Sequence, residues 1–147
     1  MELNVEVRCN QLRTLLAKTR YTLISSALGW LGSINIVLIG IHVTTIYLHL
    51  AMLSRSFLVR AYIMEGIATA LTLTLVFGSY LIWRNQTGRG GFLNFAGGVV
   101  TIVLCYYFTS TFPLLRQLEP VVYFLPAPAL VSGLLALFMS KSPSQNI

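Results

Sequence analysis

Aspartate is absent from this 147-residue chain, and only Glu2, Glu6, Glu65 and Glu119 carry negative charge. Carboxylate-built Mg²⁺ or Ca²⁺ sites draw on several acidic side chains, and paired-carboxylate catalysis needs two close together. Four glutamates spread this thinly support neither. No Ser-His-Asp arrangement can form without aspartate, its glutamate variant would need Glu65 or Glu119 beside a histidine, and no GxSxG occurs. Cysteine is equally scarce. Cys9 lies in a polar N-terminal segment and Cys105 deep in an apolar stretch, which argues against a disulfide between them. The lack of any CxxC or Cys/His cluster argues against zinc, iron–sulfur and thioredoxin-type chemistry. No catalytic residue and no metal site is expected.

Charge of either sign is rare. Charged residues make up 10% of the chain and apolar ones 56%, where a soluble domain carries about a quarter charged residues. Mean hydropathy is +0.76. The net charge of +6 comes from basic residues scattered over helix ends rather than gathered in a stripe, so no nucleic-acid partner is expected. They read as topology signals and anionic-lipid contacts.

What fills the chain instead is four apolar stretches, Tyr21–Leu53, Phe57–Trp83, Phe92–Pro113 and Pro120–Ser140. Each is close to or longer than the ~20 residues a helix needs to cross a bilayer core of ~30 Å. The expected fold is all-α: a polytopic membrane protein with four transmembrane helices in a bundle. Residues 1–20 form an N-terminal segment, 21–140 the membrane domain and 141–147 a tail. With the N-terminus inside, Arg8, Arg13, Lys18, Arg20, Arg84, Arg89 and Lys141 lie on the inner side and only Arg55, Arg60 and Arg116 on the outer. That asymmetry puts both termini in the cytoplasm, with the cell membrane as the expected location. The first long apolar run starts after ~20 mostly polar residues and is too long for a signal-peptide core, so it reads as an uncleaved signal-anchor.

Within the N-terminal segment Leu3, Val5, Val7 and Cys9 alternate with polar residues, the period of a half-buried strand. Such a segment either pairs with a partner's sheet edge or stays irregular. From Asn10, a plausible N-cap, Leu12, Leu15, Leu16 and Leu23 share a helical face that suggests an interfacial amphipathic lead-in. The first apolar run would measure ~50 Å as one helix, so a bend is expected at the Gly29–Ser33 stretch. Residues 84–91, with three glycines, read as a flexible loop, and Gly66 and Ala70 as a small-xxx-small contact patch. Pro126 and Pro128 remove two backbone donors, which predicts a kinked or broken fourth helix whose freed carbonyls need outside partners.

The polar residues inside the apolar runs are the candidate site: Asn35, His42, His49, Arg60 and Glu65. Asn35, His42 and His49 recur every seven residues and so share one helix face. In a hairpin turning at Arg55, residues whose numbers sum to about 110 lie at equal depth, since both helices rise ~1.5 Å per residue. His49 then lies beside Arg60, and His42 one turn from Glu65. Such a patch suits a proton or ion relay, haem ligation, or hydrogen-bonded pairs that lock the hairpin. Two histidines seven apart are ~10 Å apart along the axis and cannot hold one ion alone.

The function these features favour is a small non-catalytic integral membrane subunit that packs against larger partners. Its expected surroundings are the lipid bilayer and other membrane subunits or further copies of itself. One alternative is a small transporter or channel using His42, His49, Arg60, Glu65 and the Pro126/Pro128 break. Another is an electron-transfer subunit holding haem through His42 or His49, although no cofactor is required by the sequence. The orientation has a direct check. A membrane-impermeant maleimide on intact cells should label a Ser54→Cys variant but neither Cys9 nor a Ser144→Cys variant, and the reverse pattern would invert the topology.

Overall fold

Hydrogen-bonded helix is the form in which an apolar backbone satisfies itself in lipid, and this chain is built from it. The computed structural model describes residues 2–52, 54–111 and 124–141. Among the described residues lie the helices α1 (Glu2–Ala51), α2 (Arg55–Trp83), α3 (Thr87–Thr111) and α4 (Ala127–Lys141). In α1 the stretch Leu15–Ala51, and α2 and α3 over nearly their whole lengths, are long and apolar enough to cross a membrane. The protein is therefore an all-helical, membrane-embedded bundle. The fourth apolar helix is shorter: 15 residues, or ~22 Å, falls short of a ~30 Å core. The end of the third apolar stretch at Pro113, the start of the fourth at Pro120, Arg116, Glu119 and the tail beyond Lys141 lie outside the described residues.

Several local expectations give way. The period-two pattern of residues 3–9 does not form a strand or an irregular terminus; the backbone is helical from Glu2 onward. Once a helix exists, each added residue gains a hydrogen bond at little nucleation cost, so the lead-in and the span become one helix of ~75 Å. It also runs without a break through Gly29–Ser33. The glycines there serve close approach instead. A Cβ on Gly32 would lie 2.7 Å from that of Ala129 in α4.

The glycine-rich loop is likewise mostly helix. Only residues 84–86 turn, and they close α2 in a Schellman arrangement. The Gln86 amide donates to the Leu81 carbonyl at 2.8 Å and the Asn85 amide to Ile82 at 2.9 Å. Asn85 takes the left-handed conformation this needs, φ 63°. Gly88, Gly90 and Gly91 belong to α3, where Gly90 abuts the Gly78 carbonyl and Ile82 of α2, and Gly91 abuts Gly133 and Ala136 of α4. Seven residues on, Gly97 meets Leu75 of α2 and Gly98 meets Leu130 of α4. Two adjacent glycines repeated at the heptad interval thus let α3 lie tightly between two neighbours.

The helices form a ring in which α1 packs on α2, α2 on α3, α3 on α4 and α4 back on α1. In the α1–α2 hairpin Gly40 lies against Ala68, two residues from the expected register. Nearer the hairpin turn, Tyr47, Ala61 and Phe108 form a buried cluster, with the Tyr47 and Phe108 rings edge to face at 5.7 Å. Gly66, expected to pack, has nothing within 4 Å of an added Cβ, and Ala70 is exposed. This patch faces outward. Gly91→Ala should therefore cost about 1–3 kcal/mol of stability by overpacking, and Gly66→Ala should stay within about 0.5 kcal/mol of the parent, as read by thermal unfolding in detergent.

Candidate functional site

Near the α2–α3 turn all four helices contribute polar groups to one buried knot. Its centre is Asn94 of α3, which is 0% exposed. The Asn94 amide Nδ2 donates to Ser132 Oγ of α4 at 2.8 Å and to Ser79 Oγ of α2 at 3.2 Å. Those hydroxyls pass their own protons on: Ser132 to the Ser25 carbonyl at 2.6 Å, Ser79 to the Leu75 carbonyl at 2.7 Å. Ser25 returns a bond to the Ser132 carbonyl at 2.7 Å, and Ser26 donates to the Ser79 carbonyl at 3.1 Å. Both hydroxyl protons on Ser79 and Ser132 are thus committed to carbonyls. Only lone pairs remain for Asn94, which fixes its NH₂ toward them.

Space in the knot is fully used. A Cβ on Gly29 would collide with Ser79 Oγ and Asn94 Nδ2. The Asn94 Oδ1 atom is buried with no hydrogen-bond partner and rests against Gly78, where a Cβ would strike it. No room is left for a ligand, so the knot's chemistry is to clamp helices. Most other buried hydroxyls bond within their own helix, as Thr22 to Thr19 and Thr101 to Gly97.

The five residues singled out in the sequence lie elsewhere and do not converge. Asn35 donates to the Leu125 carbonyl at 2.9 Å. This ties α1 to the turn that precedes α4, rather than to α2. The proline break explains the need. Ala129 bonds to the Pro126 carbonyl, so the Leu125 carbonyl is left for a side chain to satisfy. Pro126 sits buried in that turn and Pro128 in the first turn of α4, the position where a missing N–H matters least.

His49 is exposed, and its Nδ1–H donates to the Thr45 carbonyl of its own helix at 2.8 Å. Arg60 is exposed and stacks on Phe57 at 5.7 Å. His42 borders an apolar cavity of about 330 Å³ lined by Ile36, Val43, Met64, Cys105 and Phe108. Glu65 borders a separate groove with Thr44, Thr69 and Thr72. Gly40 and Ala68 line both spaces, so His42 and Glu65 stand on opposite sides of the α1–α2 seam. Among the described residues no group of three His, Cys, Asp or Glu could hold a metal ion.

Sequence reading passed over Ser25, Ser26, Ser79, Asn94 and Ser132. The signal available was Asn94, a lone amide two residues inside the third apolar run. Compared with family models, with curated proteins and with solved structures, the chain matches none. Interhelical hydrogen bonds in membranes are worth about 0.6 kcal/mol each and up to about 1.7. Asn94→Ala, which removes two of them, should lower stability by about 1–2 kcal/mol. Asn94→Asp should lower it further, because a carboxylate cannot donate to hydroxyls whose protons are committed. Unchanged melting of both variants in detergent would remove the clamp role.

Proposed function

We propose that this chain is a small non-catalytic subunit of a membrane complex, lying in the cell membrane with both termini cytoplasmic. The observation that carries the reading is where the unmet polar groups point. Inside the bundle, the serine hydroxyls and the Asn94 NH₂ group of the knot close on one another and on backbone carbonyls, and the unmet Asn94 Oδ1 is packed against Gly78, where a second chain cannot reach it. At the α1–α2 seam, by contrast, Glu65 is exposed with no ion-pair or hydrogen-bond partner among the described residues. A carboxylate within a membrane-spanning helix is costly to leave alone in lipid, and a neighbouring chain can reach this face.

The relay or channel reading draws less support, since a proton or ion path needs its polar groups to adjoin. His42 and Glu65 are parted by the Gly40–Ala68 contact. Haem ligation draws no more support, since the cavity of about 330 Å³ beside His42 is smaller than a macrocycle of haem size needs, and His49 is exposed on the outside of its helix. The experiment is native mass spectrometry of the protein extracted from its own membranes in mild detergent. A complex holding a second polypeptide at constant stoichiometry is the expected result. A monomer of 16.3 kDa under conditions that keep other membrane complexes intact would overturn the proposal.

A further inference from the structure

The groove between α1 and α2 has the make-up of a helix-docking surface rather than of a face turned to lipid. Its floor is small, because Gly40 and Ala68 meet there, and it encloses about 420 Å³. Glu65, Thr69 and Thr45 are exposed along it, and Ile41 and Leu73 form apolar rims at 59% and 63% exposure. Beside Glu65 on α2 lie Gly66, with open space where a Cβ would be, and Ala70, also exposed. Small residues four apart let another backbone come close, and hydroxyls bond across the contact.

Depth and charge narrow the occupant. Glu65 lies ten residues from the start of α2, or ~15 Å along the axis. If α2, ~43 Å long, is centred on a ~30 Å core, the Glu65 backbone lies ~8 Å beneath the core boundary. A lipid tail does not satisfy the carboxylate. A second parallel copy related by a two-fold axis would bring Glu65 against Glu65 at equal depth, placing like charges together. A cationic side chain from a different helix meets that need. It pairs with the carboxylate where low dielectric makes the attraction strong, and an ammonium or guanidinium has further protons for the exposed Thr69 hydroxyl.

We infer that the Glu65 groove receives a transmembrane helix of a different polypeptide carrying a lysine or arginine at the depth of Glu65. The inference rests on the subunit reading and names the face and the chemistry of the contact. It is tested by placing p-benzoylphenylalanine singly at Ile41 and Leu73 on the groove, and at Val103 of α3 and Phe138 of α4 as exposed positions elsewhere. The full chain is irradiated in its native membranes and the adduct peptides are sequenced. Expected are adducts at Ile41 and Leu73 to a membrane segment of one other polypeptide, with a Lys or Arg within one turn of the Glu65 level.

Glu65→Gln and Glu65→Lys, each confirmed to melt like the parent, should both lower that adduct, the charge reversal by about tenfold or more. Changing the partner's basic residue to Glu should restore it in the Glu65→Lys chain. Adducts to a second copy or to lipid, a partner segment without a basic residue, or yields indifferent to both Glu65 variants would each overturn the inference. Adducts found only at Val103 or Phe138 would overturn it while leaving the subunit reading in place. Adducts at no position, together with a monomeric native mass, would remove both.

Discussion

A bilayer interior offers no hydrogen-bond partner, so it places a demand for partners on the polar groups a chain carries into it. Asn94 is the point where that demand organises the bundle. Its two amide protons join hydroxyls on α2 and α4, and those hydroxyls reach carbonyls on α2 and α1. The result is a closed exchange among all four helices that an apolar packing of the same residues would not specify. Asn35 answers the same demand at the other irregular place, where prolines leave a carbonyl of the turn before α4 without an amide. Polar side chains here act first as partners for backbone groups.

Close approach is what makes those bonds possible, and glycine supplies it. Gly29 leaves room for Ser79 and Asn94 to meet, while the paired glycines at 90–91 and 97–98 seat α3 against α2 and α4 at once. The chain's water-soluble composition is minimal, so its stability has few sources beyond such contacts and the bonds they permit. The α1–α2 hairpin follows the same rule through Gly40 and Ala68, but differs in what it leaves over. Its seam exposes Glu65, Thr45 and Thr69, and the Glu65 carboxylate has no counterpart among the described residues.

Much of the fold was legible in the order of residues. Long apolar runs separated by short polar turns dictate membrane-crossing helices, because length and hydropathy alone decide whether a backbone can span lipid. The prolines marked an irregular place in the fourth run, since the missing amides follow from the side chain itself. The glycines of residues 84–91 misled, because glycine has two opposite uses: it loosens a loop in water and tightens a helix contact in a bundle. Nothing local distinguishes these. The alternation at residues 3–9 misled for a related reason, as a strand period carries no weight where no second strand exists to pair with.

The candidate site was legible only as a set of residue types. Sequence by itself determined that His42, His49, Arg60 and Glu65 would lie in or near membrane-spanning helices, and that Asn35 would need a partner. It could not decide which of them meet, because two helices in contact can rotate about their axes without any change in their hydropathy. The tertiary structure decided that. It turned His42 toward an apolar cavity and Glu65 toward an outer groove, with Gly40 and Ala68 between them. It also gave the buried centre to Asn94 and four serines, whose hydroxyls look inert in a list of residues and acquire meaning only when four helices bring them within hydrogen-bond distance.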